Sequence, residues 1–339
     1  MKIRSTSTRT VLRRWAAATF ALALLATSAA GQEAPQTAPA VEKDNLVRQP
    51  LVYRTGYRQS DGAAYTWGQV MNLSTQAPKG VELPKFHGKP AFALWTFRNG
   101  KLTGQAARDG GLWTAVDNAT QAGPWNTLYV DTNGNGSLAD EKPIYAPRSR
   151  LTDGNSFAVF DMVQISLPGP SGIINYHARF QCTHQPGWPK PLLQAIAFCW
   201  NEGKVNIGGM DYSCTLLDNN GDGLFGRYDP VSTQCDRIVL FPAGSRSRSR
   251  DNSFDGYVGR YLLLSGKYYQ VDISPDGSWV AFTHVQPKMG TIRCRRGVDL
   301  LAVKGTGGQF YAPDNGPFLV PAGEKYMALA YRTVKLGPD

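Results

Sequence analysis

The chain has 339 residues and carries 36 basic against 26 acidic side chains, a formal charge of +10. Five of the basic residues, Lys2, Arg4, Arg9, Arg13 and Arg14, sit in an N-terminal leader, so half of the excess is targeting chemistry and says nothing about partners. The basic residues that remain are not interleaved with aromatics and form no nucleic-acid motif, and no apolar run approaches the ~20 residues of a membrane-spanning helix.

The leader, MKIRSTSTRTVLRRWAAATFALALLATSAAGQ, has a basic start, an apolar run from Trp15 to Leu25 and small residues before Gln32. This is the layout of a secretory signal peptide over residues 1–31, cut after Ala30 or Gly31, and it predicts a secreted or periplasmic protein. Residues 32–50 follow with QEAPQTAPAVEKDN, an Ala-, Pro- and Gln-rich stretch without periodicity that reads as a flexible linker.

From Leu51 onward, short runs rich in Val, Ile, Tyr, Phe and Trp alternate with turn signals. The runs include AFALWTF, TLYV, FAVFDMVQISL, AIAFCW, YLLLS and KYMALAYRTV; the turn signals include NG at 99–100, NEGK at 201–204 and SPDG at 274–277. Strands joined by tight turns, with no sustained 3.6-residue period, predict an all-β protein. The length after the leader suits one or two β-sandwich-like units, drawn at 51–245 and 246–339, with calcium-loop insertions in the first. The clearest hairpin is KYYQVDISPDGSWVAFTHV, where Pro275 presets a turn and Gly277 takes the positive φ of the return. The run GSRSRSRDNS, with Arg246, Arg248 and Arg250, reads as a solvated loop.

Cys182, Cys199, Cys214, Cys235 and Cys294 lie in a chain addressed to an oxidising compartment, and no CxxC spacing suggests zinc or a redox motif. A Cys214–Cys235 bridge would clamp the loop between them, and Cys182 and Cys199 could pair across a hairpin; five buried thiols are the other reading.

Two loops concentrate oxygen atoms. LLDNNGDGLFGRYD places Asp218, Asn220, Asp222, Gly223, Leu224 and Asp229 at positions 1, 3, 5, 6, 7 and 12 of a calcium loop. YVDTNGNGSLADE places Asp131, Asn133, Asn135, Gly136 and Ser137 at positions 1, 3, 5, 6 and 7, but Lys142 stands at position 12, so closure falls to Asp140 or Glu141. Calcium takes six to eight hard oxygens, and alternating carboxylates and amides followed by a glycine bend supply them within one loop. The second loop offers more charge and is expected to bind more tightly. Each loop can also be read as an Asx-rich turn that holds itself together without metal. Strand-like runs precede both, so the loops are expected between strands and not between the paired helices of an EF-hand.

TLYVDTNGNGSLADEKPI, LLDNNGDGLFGRYD, YLLLSGKYYQVDISPDGSWVAFT and FLVPAGEKYMALAY together resemble successive elements of a group of secreted bacterial proteins with EF-hand-like or dockerin-like calcium loops. The likeness covers most of residues 84–335. It implies an exported, calcium-binding, β-rich protein of a group without an assigned reaction, and hence a structural or surface-interaction role.

The sequence carries no H-E-x-x-H, G-x-S-x-G or phosphate-binding loop, and its four histidines are scattered. The alternative functions are a carbohydrate-binding module or a polysaccharide-active hydrolase of the cell envelope, with a glycan or envelope component as partner. Trp67, Trp95, Trp113, Trp125, Trp188, Trp200 and Trp279 are expected mainly in the core, with Trp113 and Trp125 the two most suited to exposure.

Overall fold

The computed structural model describes residues 46–56, 68–97, 102, 106, 109–118, 125–152, 155–169, 172–226, 235–244, 253–293, 298–305, 310–311, 318–323 and 326–333. The leader, most of the linker, Trp67, the turn at 99–100, Asp229, the Ser/Arg run and Cys294 lie outside the described residues.

Strands dominate throughout, as the alternating runs predict. The first seven are β1 (Gln49–Pro50), β2 (Val52–Thr55), β3 (Gln69–Asn72), β4 (Ala91–Thr96), β5 (Gly111–Asn118), β6 (Trp125–Val130) and β7 (Ile144–Tyr145). A central group follows: β8 (Arg148–Thr152), β9 (Asn155–Gly169), β10 (Gly172–His184), β11 (Leu192–Ala197), β12 (Cys199–Ile207), β13 (Met210–Leu217), β14 (Arg237–Pro242) and β15 (Phe254–Tyr257). The C-terminal set is β16 (Tyr261–Leu264), β17 (Lys267–Ile273), β18 (Trp279–Val285), β19 (Met289–Ile292), β20 (Val298–Gly305), β21 (Phe310–Tyr311), β22 (Phe318–Pro321) and β23 (Tyr326–Thr333).

Among the described residues these strands form six antiparallel sheets. Two five-stranded sheets, β3-β11-β10-β9-β8 and β15-β14-β13-β12-β2, flank the main core with the four-stranded sheets β4-β5-β6-β7 and β1-β18-β17-β16. The chain enters through a corner at Leu51. Gln49 and Pro50 pair with β18, the Leu51 N–H donates to the Ser278 carbonyl at 2.8 Å, and Val52–Thr55 then pair with β12. Pairing thus begins two residues before Leu51. The line drawn at 245/246 falls between β14 and β15, which hydrogen-bond to each other, and residues Asn45–Asp339 form one compact unit.

Sheet β4-β5-β6-β7 is buried on both faces, and its sequence shows why. Ala91, Ala93, Trp95, Val116 and Leu128 point into the main core, while the alternate residues Phe92, Ala115 and Tyr129 build a second cluster with Leu138. In the long β9–β10 hairpin the inward residues are Ser156, Ala158 and Phe160, then Val163, Ile165 and Leu167. The phase changes because Phe160 and Asp161 together oppose Phe180: Gln181 pairs with Val159 and Arg179 with Met162. That extra residue is a β-bulge, and it re-aims the second half of β9.

The hairpin at 267–285 forms as the sequence predicts, with Gly277 at φ 70° in its turn. The turn expected at 201–204 does not form. Those residues run straight through β12, and the chain reverses instead at Gly208 and Gly209, both at positive φ. Gly203 serves close packing, since a Cβ there would lie 2.8 Å from the Pro50 carbonyl oxygen.

The Cys214–Cys235 and Cys182–Cys199 bridges do not form either, and all four of these cysteines are buried. Strand register explains the separation. Cys182 lies opposite Leu193, Cys214 opposite Leu240 and Cys199 opposite Thr55, so register gives each thiol a different neighbour on its own strand pair. Burial pushes the thiols of Cys182, Cys199 and Cys214 up to about 12, which suppresses the reactive thiolate.

Trp95 is fully buried, in line with the core reading. Trp113 and Trp125 belong to strands β5 and β6 and are half-buried, because the runs read as loops pair into the sheet. Among the described residues no helix is long and apolar enough to cross a membrane.

Candidate metal centre

Both oxygen-rich loops lie between strands, the first joining β6 to β7 and the second leaving β13 toward β14. Their internal hydrogen bonding is nearly the same. In the first, the carboxylate of Asp131 accepts the N–H groups of Asn135 at 3.1 Å and Gly136 at 2.9 Å. In the second, that of Asp218 accepts the N–H groups of Gly221 at 2.6 Å and Gly223 at 2.9 Å. The Oδ1 of Asn133 accepts the Asn135 N–H, and the Oδ1 of Asn220 accepts the Asp222 N–H, both at 3.0 Å. One step on, Asn135 accepts the Ser137 N–H at 2.7 Å and Asp222 accepts the Leu224 N–H at 3.1 Å. Successive Asx turns therefore curl each loop around the side-chain oxygens of positions 1, 3 and 5. The curl needs positive φ at positions 4 and 6, and glycine stands at all four places: Gly134, Gly136, Gly221 and Gly223.

The loops differ in depth. Asp218 and Asn219 are wholly buried, and Asn220 and Asp222 nearly so. The Trp95 indole N–H donates to the Gly221 carbonyl at 2.9 Å, and the Tyr176 hydroxyl donates to Asp218 at 2.7 Å. Gly68 donates its N–H to the Asn219 carbonyl, and Phe225 donates to the Pro275 carbonyl. Room is tight: a Cβ on Gly221 would lie 2.9 Å from the Ala195 oxygen, and one on Gly223 2.7 Å from Leu167. Asp236, also wholly buried, accepts the Asn219 N–H at 3.2 Å. The loop pattern gives no hint of Trp95 or Tyr176, which arrive from β4 and β10, or of Asp236, which arrives from the approach to β14.

Desolvation raises the carboxyl of Asp218 to about 7, with the neighbouring Asp222 charge adding to the shift. Of the roughly four acceptor positions on a carboxylate, Asp218 spends three on Gly221, Gly223 and Tyr176. Positions 1, 3 and 5 bring buried carboxylate and amide oxygens into one loop, the hard donors that calcium takes. Among the described residues no three His, Cys, Asp or Glu side chains converge, so a cation at either loop relies on amide and main-chain oxygens as well.

The first loop lies over the outer cluster of sheet β4-β5-β6-β7. Leu138, at position 8, is fully buried there, and its N–H donates to the Glu82 carbonyl at 2.7 Å. Phe225 takes the equivalent position in the second loop and joins the main core. Closure of the first loop falls to Asp140, whose Oδ2 accepts the side-chain amides of Asn135 at 2.8 Å and Asn133 at 3.2 Å. Those amides, with Ser137, hold its carboxyl below the usual range. Glu141 turns aside to the N–H and hydroxyl of Thr132, and burial raises its carboxyl. Burial likewise raises Asp131.

Among its described residues the second loop turns its oxygens inward, and Asp218 and Asp222 are buried, so as folded these two carboxylates cannot meet a polymeric substrate. The arrangement suits a fixed ion and structural cross-linking. No family model, curated protein or solved structure matches this chain.

Proposed function

We propose that this is an exported β-rich protein that uses calcium to stiffen its scaffold, with Asp218, Asn220, Asp222 and the Leu224 carbonyl as ligands in the stronger loop. Asp229 would complete that set. Asp131, Asn133, Asn135, Asp140 and the Ser137 carbonyl form the weaker one. The observation that carries the reading is the second loop: two carboxylates, Asp218 and Asp222, lie together and almost entirely out of water. Leaving them there as a like-charged pair is costly, and a divalent cation offsets both the desolvation and the repulsion. The leader supports export, where calcium is abundant enough for the ~10⁻⁴–10⁻³ M affinities of extracellular modules.

The test is thermal unfolding after chelation, with calcium, magnesium or buffer added back. At a hundredfold excess over the dissociation constant, calcium stabilises by ~2.7 kcal/mol per site. Asp218→Ala removes most of this gain and Asp131→Ala a smaller part. A melt that calcium leaves unmoved refutes the reading, and equal losses in the two variants refute the ranking.

A further inference from the structure

The face of sheet β3-β11-β10-β9-β8 that looks away from the core is a different kind of surface. Register places Arg150, Phe157, Thr183 and Leu192 side by side in one cross-strand row, and Arg148, Val159, Gln181 and Gln194 in the next. The bulge then sets Asp161 and Arg179 at the edge of these rows. Between them lie two adjoining hollows of about 420 and 480 Å³, which share Pro147, Arg148, Phe157 and Val159. Phe157 is 40% exposed, although it belongs to a strand whose neighbouring residues are core. The Arg179 guanidinium lies 5.2 Å from the centre of the Phe198 ring, which directs it away from the Arg148 and Arg150 rows and leaves its side chain to line one end of the trough.

Arg148 and Arg150 are both exposed and stand two residues apart on one face of β8, so their stems are about 7 Å apart along the strand. Arg179 lies two strands away and further along the sheet, roughly 12 Å from Arg148 and roughly 16 Å from Arg150. Among the described residues this is a shallow trough lined by the guanidiniums of Arg148 and Arg150, the side chain of Arg179, one open aromatic ring, a glutamine and the carboxylate of Asp161. Guanidiniums bind carboxylates through paired hydrogen bonds, an exposed ring offers a flat apolar platform, and the glutamine suits hydroxyls. A nucleic acid fits less well: its continuous phosphate charge would meet Asp161, and one ring gives no succession of stacking platforms.

We propose that this trough binds an acidic polysaccharide in which uronic acids alternate with neutral sugars, with Arg148 and Arg150 together receiving a carboxylate and Phe157 supporting the neighbouring sugar ring. The site lies on the face opposite the core-facing residues that meet the second loop, and it does not depend on calcium.

The test measures binding of the purified chain to immobilised hyaluronan oligosaccharides, with chitin oligosaccharides as a neutral comparison and oligothymidylate as a second polyanion. Each is run with calcium and with chelator. The expected result is binding to hyaluronan over both comparisons, in either buffer. R148Q/R150Q should weaken it about tenfold or more with the melt unchanged, F157A should weaken it further, and K204Q, an exposed charge on β12, should leave it intact. No binding to hyaluronan, tighter binding to oligothymidylate, or an equal loss in K204Q overturns the proposal. A melt that ignores calcium while hyaluronan still binds counts against the calcium reading alone.

Discussion

Asp218 is a single buried carboxyl that ties stability to pH and, on the proposed reading, ties ion binding to it as well. It is raised to about 7 from an ordinary value of 3.8, with desolvation as the leading cause and Asp222 next. A raised acid retains its proton in the folded chain after the unfolded chain has lost it. The folded state then binds more protons than the unfolded one, and stability falls as pH climbs from about 4 to about 7. On the proposed reading calcium takes the place of that proton, so its affinity should rise across the same window. Asp218→Asn keeps the shape but cannot ionise. In chelator, the stability difference between wild type and Asp218→Asn should therefore shift against wild type as pH rises from 4 to 7, as read by urea unfolding at stepped pH. A difference that stays constant would place the group's titration elsewhere. Calcium should restore the wild type at neutral pH and do little for the variant.

At the scale of elements, the β9 bulge makes an unusually clean prediction. The inward residues are even-numbered before Asp161 and odd-numbered after it, while β10 keeps one phase throughout. Deleting Asp161 brings Phe160 opposite Phe180 and leaves every inward residue inward, so the core should survive at a cost of about 1 kcal/mol, or ~3 °C of melting temperature. Inserting a residue after Val163 turns Ile165 and Leu167 outward and should cost ~3–6 kcal/mol. Similar melts for the two changes would show that the bulge does not set the phase. The deletion also narrows the trough beside Arg179. Much of this architecture was legible in the residues: alternation marks β4, β9, β13 and the 267–285 hairpin, and the Asx and Gly spacing locates both loops between strands. What was not legible depends on partners distant in sequence. Gly203 looks like a turn residue until Pro50 is packed against it, the cysteines look pairable until register assigns each its own neighbour, and nothing local says that 218–223 is buried. A loop pattern specifies which oxygens turn inward; the strands around it decide whether water can reach them.

For the whole molecule, that burial turns the second loop into a joint between layers. Trp95 reaches it from β4, Tyr176 from β10, Gly68 from the approach to β3, and Pro275 from the turn between β17 and β18. Phe225 and Trp95 belong to one core cluster with Leu262 and Val280, so the loop ties the C-terminal hairpin to the sheets of the first half. The first loop has a lesser role: Asp140 is exposed, Leu138 anchors the loop in the outer cluster of one sheet, and Gly134 touches the main core beside Ala106 and Leu112. An ion in the first loop can leave through local fraying, whereas one in the second can leave only when several layers part. Calcium release into excess chelator should therefore be biphasic, with a fast phase abolished by Asp131→Ala and a slow phase abolished by Asp218→Ala. The slow rate should match the unfolding rate measured in the same buffer, because the same layers must separate in both events. Trp95→Phe removes the bond to the Gly221 carbonyl and should speed the slow phase while leaving the fast one alone. A single fast phase carrying all of the calcium would mean that the second loop opens independently of the core, and the ion would then be an exchangeable surface ligand and not the joint of the fold.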